Sequence, residues 1–357
     1  IKQSILNIIS VIVINSTSST ILAFIFIDFS GYWNHRLNHK INFFWNQHII
    51  HHSSEEFNLA CALRQSISKN IIGFGALFLI PAALFGVPQK IIIILAPLHL
   101  FGQFWYHTRH IGKLGWLEYF LVTPSQHRVH HAINPEYVDK NLSAIFCIWD
   151  RIFGTFQEEL DEKPCVYGTL KPVQTWNPII INFQHNWGLA KDAWRAKNWL
   201  DKFKLWFMPT GWRPKDVAER FPISIVENVY SQEKYAPKYK TLHKFYAIFQ
   251  FICINSFIYV MLTNFGALSL NTQLSFGILI SSTIFGFTSL LDGHKWAFFF
   301  EISRGILGLL FLVYPTEFFM LEINFPFTVF LGMYFLLSLL TTCWMYQSPP
   351  ERSLKVA

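Results

Sequence analysis

Apolar residues run almost unbroken through 4–14, 20–34, 71–87, 90–106, 244–263, 273–291, 305–321 and 325–345, and a chain built this way has few places to fold except across a membrane. A spanning helix needs about 20 such residues, so the shorter runs are expected to be tilted or re-entrant. Of the 357 residues, 52% are hydrophobic and 14% charged. A soluble domain carries about 25% charge, so there is too little here to cover a water-facing surface. The 37 phenylalanines suit lipid-facing helices, and the same figures exclude a disordered chain, a collagen-like fibre and a small disulfide scaffold. The expected fold is all-α: a polytopic integral-membrane helical bundle.

Lys and Arg set the expected orientation. If the first run leaves the cytosol, the polar stretches 35–70, 107–243 and 292–304 and the C-terminal tail all face inward. Every basic residue then lies on the cytosolic side except Lys90, in the turn Gly86-Val87-Pro88-Gln89-Lys90. The net charge of +7 therefore reflects topology rather than a nucleic-acid stripe. Five scattered cysteines with no CxxC pair fit a reducing compartment. Because the chain opens at Ile1, a preceding segment is expected, and Lys2 before an apolar run reads as the stub of a first span rather than a signal peptide. Segment 191–206 (KDAWRAKNWLDKFKLW) reads as one amphipathic helix, lying on the membrane surface or packed on the site. A solvated helix with an ordinary buried face is the plain alternative.

The chemistry lies in the histidines. His35 and His39 form HxxxH; His48, His51 and His52 form HxxHH; His127, His130 and His131 form a second HxxHH. Residues three and four apart share a helix face, so each cluster aims imidazoles at one point. Composition alone expects about 0.02 HxxHH motifs in a chain of this length. Neutral imidazole ligates iron, zinc, copper and nickel, and eight imidazoles exceed what one ion takes, so two metal ions are the natural count. All three clusters follow apolar runs on the inferred cytosolic side, and His107, at the end of the 90–106 run, is placed to join them. The lone histidines His99, His185, His243 and His294 read as satisfied polar residues, and Tyr32, Trp33, Trp45, Phe104, Trp105 and Tyr106 as packing.

Absences narrow the reaction. There is no ExxH pair of the carboxylate-bridged kind, no HExxH, no GxSxG, no Walker A loop and no GxGxxG. No nicotinamide or flavin domain is in view, so electrons must come from a partner or a diffusible donor. Asp28, Glu55, Glu56, Asn58, Asp139 and Asn141 are candidates to hold imidazole N–H groups, and Arg64, Gln65 and Arg128 to position a polar head group. Each also has a bland reading as a cap, salt bridge or loop residue. Glu301 and Arg304, beside a span, read as an interfacial ion pair.

Three histidine boxes in a multi-span protein resemble the fatty acid hydroxylase/sterol desaturase superfamily of integral-membrane di-iron oxygenases. Within it, DFSGYWNHRLNH (28–39), WNQHIIHHSSEEFNLACALRQS (45–66), QFWYHTRHIGKLGWLEYFLVTPSQHRVHHAIN (103–134) and DKNLSAIFCIWDRIFGTF (139–156) resemble the alkylglycerol monooxygenase family. YGTLKPVQTWNP (167–178) and GWRPKD (211–216) continue the likeness, which covers about 20–220. The resemblance implies two iron ions ligated by His35, His39, His48, His51, His52, His127, His130 and His131, with His107 matching a further histidine. It also implies O2 as co-substrate and a membrane lipid as substrate. One oxygen atom would enter the C–H bond next to an ether oxygen, releasing an aldehyde and a glycerol derivative. Tetrahydrobiopterin is the reductant of the animal enzymes. An acidic residue commonly follows HxxxH there, whereas this chain has Lys40, a departure that bears on pterin use.

The organisation expected is a catalytic region 1–240, its spans joined to a cytosolic cap 107–243, followed by a C-terminal transmembrane region 241–357. A sterol, fatty acyl or carotenoid hydroxylase or desaturase would use the same metal site. A metal transporter or zinc-stabilised scaffold is the reading from another class, but a transporter would carry ionisable residues within its spans, and these are nearly free of them.

Overall fold

The computed structural model describes residues 16–68, 74–313 and 325–351, which are mostly helical and contain no β-strand, only isolated bridges. The chain divides into two compact units, one of residues 1–173 and 182–233, the other of 174–181 and 234–357.

In the first unit a 25-residue helix, α1 (Ser16–Lys40), takes up the 20–34 run and carries His35 and His39 in its last two turns. Short helices follow: α2 (Asn42–Trp45), α3 (Ile49–His52) and α4 (Leu59–Ala62). Asn42 is fully buried and fixes α2 by donating its amide to the carbonyls of Leu205 and Trp212, both at 2.9 Å. The 4–14 run lies outside the described residues.

Two runs expected as spans are not spanning helices. Within 71–87, residues 74–79 form a 3-10 helix and Ile80–Leu84 a single-turn helix, α5, ending in a turn where Gly86 has a φ of 71°. The 90–106 run yields α6 (Gln89–Phe101), 13 residues with Pro97 inside it. At 1.5 Å per residue, α6 is about 20 Å long against a hydrocarbon core of about 30 Å. Hydropathy sees the apolar residues but not the turn that halves them. α6 packs along α1 around Ala23, Ala82 and Val87.

Further helices of this unit are α7 (Pro124–His131), α8 (Ile148–Ile152), most of α9 (Pro178–Arg195), α10 (Trp199–Lys204) and α11 (Lys215–Arg220). Segment 191–206 is therefore broken: α9 stops at Arg195, and Asn198 caps α10 by accepting from the backbone N–H of Leu200 at 2.9 Å. A side-chain cap satisfies an N–H that a continuous helix would have paired internally.

The loop from 132 to 147 is tied down by two buried carboxylates. Asp28, on α1, accepts from the backbone N–H of Ile145 and Phe146, from Trp149 Nε1 and from His99 Nε2, at 2.7–3.0 Å. Asp150, on α8, accepts from the N–H of Leu142 and Ser143 and from Thr155 Oγ1.

The second unit holds α12 (Thr241–Thr263), α13 (Leu270–Leu291), α14 (Lys295–Val313) and α15 (Phe325–Gln347), each long and apolar enough to cross a membrane. The chain is a multi-pass membrane protein. Cys253, Phe257, Phe276, Leu331, Tyr334 and Phe335 form the core between these helices. α14 begins ten residues before the 305–321 run, so 295–304 is not a separate polar segment. Glu301 (2% exposed) and Arg304 (8%) pair at 2.7 Å inside the unit rather than at its edge. Residues 314–324 lie outside the described part.

Candidate metal centre

The boxes do not each aim at one point. The nine histidines fall into two groups that could hold a metal, with ligand atoms within 4.8 Å of one another in each. The first contains His35, His39, His48, His52 and His130; the second contains His51, His107, His127 and His131. Helix geometry explains the division. Positions i and i+4 lie about 40° apart around the axis, whereas i and i+3 lie about 60° apart on the other side. His48 and His52 therefore serve one group while His51 turns to the other. In the third box His127 and His131 stay together and His130 crosses over. The groups adjoin, with the His52 and His131 rings stacked at 4.4 Å.

Outer contacts orient the rings. Nδ1 of His35 meets the Leu142 carbonyl at 2.8 Å, and that of His130 the Lys140 carbonyl at 3.0 Å. Nδ1 of His39 meets the Asp139 carboxylate at 3.2 Å. Asp139, Lys140 and Leu142, within one four-residue stretch, thus steady three imidazoles of the first group. Their backbone must turn sharply, and Asp139 and Asn141 have φ of 59° and 51°, a region costly for residues other than glycine. Asn141 offsets this by donating to the Gln126 and Gln157 carbonyls and accepting from the Gln157 N–H. In the second group, Nδ1 of His51 meets the Cys61 carbonyl at 3.1 Å and Nδ1 of His107 the Gln103 carbonyl at 3.0 Å.

These contacts decide where the lone pairs are. A carbonyl accepts only, so His51 and His107 each carry their proton on Nδ1 and present an unprotonated Nε2. The two Nε2 atoms face each other at 3.3 Å. Lone pairs so placed repel unless a cation lies between them. Nε2 of His39, His52 and His130 is buried without a hydrogen-bond partner. Nine clustered imidazoles, five of them with Nδ1 held from outside, fit a transition-metal site.

Protonation gives no alternative. Burial holds His48, His52, His127, His130 and His131 well below the ordinary imidazole range, with neighbouring histidines adding to it. Burial, then the His107 charge, brings His51 down to about 3; burial brings His107 to about 4. Unfolded, these rings titrate near pH 6.5. Between about pH 6.5 and 4 the unfolded chain binds protons that the folded chain refuses, so stability is full above that window and lost as pH falls. At pH 5 the loss is on the order of 2 kcal/mol for His51 alone. The metal-free protein is expected to melt markedly lower at pH 5 than at pH 7.5; an unchanged melting temperature would contradict this protonation state.

The other sequence-predicted residues have different occupations. Asp28 holds His99 and the 145–149 segment; Arg128 grips Glu159 through two bonds at 2.8 and 2.6 Å. Arg64 donates to the Ile50 carbonyl and Ser53 Oγ, bracing the end of α3. Glu56 pairs with Arg109, Asn58 caps α4, Glu55 meets Gln232 and Gln65 bonds the Ala62 carbonyl. Lys40 pairs with Asp139 at 2.7 Å, so it shares the carboxylate that holds His39. His99, His185 and His243 each have hydrogen-bond partners away from the centre. Sequence reading missed the carbonyls of Cys61, Gln103, Lys140 and Leu142, because a backbone acceptor leaves no mark on residue identity.

Two cavities sharing no lining residue reach the histidines. One, about 640 Å³, meets His35, His48, His51, His107 and His127; its walls mix Ile27, Leu79, Ala96, Leu100 and Phe101 with the amides of Asn34, Asn38, Gln47 and Gln103. The other, about 770 Å³, meets His39, His52, His130 and His131 and is rich in basic side chains. Both volumes lie in the range of small-molecule sites, about 300–1,000 Å³.

Residues 20–155 match the family model described as fatty acid hydroxylase. Alkylglycerol monooxygenase of Homo sapiens is 36% identical over 288 residues, covering 81% of this chain and 64% of that protein. The Danio rerio protein of the same name is 34% identical over 297 residues, with the same coverage. An ornithine lipid hydroxylase of Rhizobium tropici is 27% identical over 136 residues, 38% of this chain and 41% of that protein. This chain therefore spans 64% of the length of the human and fish relatives. No solved structure matches it.

Proposed function

We propose that this chain, whose residues 20–155 match the fatty acid hydroxylase family model, is an O2-dependent di-iron monooxygenase that oxidises an alkyl ether lipid. The observation that carries this reading is the pair of unprotonated Nε2 atoms of His51 and His107 facing each other at 3.3 Å within a nine-histidine centre. His35, His39, His48, His52 and His130 would hold one iron, and His51, His107, His127 and His131 the other. When bound, two irons supply reductive activation of O2.

The smaller cavity suits an alkylglycerol, its apolar wall taking the chain and its amides the uncharged hydroxyls. Its walls would keep the carbon next to the ether oxygen near the histidines and exclude bulk water. In balance, the lipid takes one oxygen atom of O2 into that C–H bond. The other atom leaves as water, consuming two electrons from an external donor and two protons. The hemiacetal formed then breaks its C–O bond to give an aldehyde and a free glycerol hydroxyl. The distribution of Lys and Arg supports a cytosolic position for the centre.

Purified full-length protein, loaded with ferrous iron and given a reductant, is expected to release hexadecanal from 1-O-hexadecylglycerol only when O2 is present. Oxidation of sterol or fatty acyl substrates in the same lipid panel, with the alkylglycerol untouched, would overturn the substrate assignment.

A further inference from the structure

The larger cavity has a charge pattern that an uncharged alkylglycerol does not use. Five basic side chains (Lys171, Lys191, Arg195, Arg213, Arg220) line it against two acidic ones, Asp139 and Asp192. The acids are already engaged. Asp139 takes His39 and Lys40, and Asp192 takes both Nε and an Nη of Arg213, at 2.6 and 3.0 Å. Arg220 pairs with Asp216 at 2.8 Å. Among the described residues, no ion pair holds the Lys171 or Lys191 ammonium. The Arg195 guanidinium rests 4.0 Å above the Phe221 ring, and among the described residues no ion pair holds it.

Like charges gathered at one cavity repel, and proteins seldom hold them so without an anion to receive. Desolvation, then the charge of Arg213 and more weakly that of Lys191, hold the Lys171 ammonium below the ordinary lysine range, against the opposing charge of Asp192. A bound anion would relieve that repulsion. Trp45, Trp212, Leu170, Ile223 and Ile225 also line the cavity, so it offers apolar as well as charged surface.

We propose that this cavity binds the phosphate group of an anionic ligand between Lys171, Lys191 and Arg195, at a site separate from the alkyl-chain cavity. A phosphate presents several acceptor oxygens and up to two charges, which matches two ammonium groups and one guanidinium. The group can belong to a soluble phosphomonoester or to a lipid head. Phosphate binding itself does not depend on the oxygenase reading; only a role for the bound group in lipid oxidation rests on it.

The test is equilibrium dialysis of radiolabelled inorganic phosphate against the purified full chain in a phosphate-free detergent. Saturable binding is expected, weakened about tenfold or more in K171Q/K191Q and largely retained in K171R/K191R, since the glutamines remove both charges and the arginines keep them. Absence of saturable binding, or equal binding by the glutamine pair, would overturn the proposal. Should the double exchange fail to fold, K171Q and K191Q are tested singly against the same criterion. Displacement by glycerol 3-phosphate assigns the site to a soluble ligand, and displacement by phosphatidic acid micelles alone assigns it to a lipid head. Because the readout is binding, a chain that binds phosphate but oxidises no ether lipid leaves this site standing while the proposed reaction falls.

Discussion

Exchange of His51 for Ala is expected to lower the proposed ether-lipid turnover by about a thousandfold or more, equivalent to at least about 4 kcal/mol of lost transition-state stabilisation. His51 belongs to the smaller group, where, among the described residues, four imidazoles are placed to hold a metal. Its ring lies between His107 Nε2 at 3.3 Å and the His131 ring, whose centroid is 4.5 Å away. Cys61, whose carbonyl holds the His51 ring, gives its thiol to the Glu56 carbonyl. The variant should retain its helical content and lose metal from this group, giving one ion fewer per chain. Turnover within tenfold of the parent would show that the second group takes no part in the reaction.

The second large effect lies in the other unit. Glu301→Leu is expected to cost about 3–5 kcal/mol, because it strands the Arg304 charge in an apolar bundle. The carboxylate accepts from Arg304 Nε at 2.8 Å and from Nη2 at 2.7 Å. Arg304 Nη1 also donates to Thr283 and Tyr334, and Tyr334 donates to Gln250, so the pair is the hub of a buried polar network. Gly286 leaves room for it: a Cβ there would lie 1.7 Å from Glu301 Oε1. Combining Glu301→Leu with Arg304→Leu should restore most of the stability, since an apolar pair needs no compensating charge. Thermal unfolding in detergent decides the matter, and a single-variant loss below about 1 kcal/mol would contradict the buried-charge account.

Much of the centre is legible in the sequence because imidazoles three and four residues apart on a helix are held close together, and all nine histidines named from it fall in the two groups. How they divide between two groups is not. Helix geometry turns His51 and His130 away from their boxes, but the histidines that receive them come from segments far away in the chain. Asp139 is legible as a carboxylate near the boxes; the carbonyls beside it are not. Among the apolar runs, 244–263 and 273–291 become α12 and α13, since nothing in them interrupts a helix. The 71–87 and 90–106 runs fall short, the first where the chain turns at Gly86, the second ending in α6 at Phe101 with Pro97 inside it. α14 starts early because Glu301 and Arg304 neutralise each other, and a hydropathy sum counts them as two charges. The break at 196–198 had a signal that was readable, Asn198 followed by Asp201, the pairing of a capped helix start.

The measurement that bears most directly on the centre is metal content per chain in protein purified from iron-supplied membranes, with Mössbauer spectroscopy of iron-57-enriched samples. Two irons per chain giving the spectrum of a coupled pair is the predicted result. A folded protein that takes up one ion or none, even after reconstitution with ferrous iron, would contradict a two-metal centre.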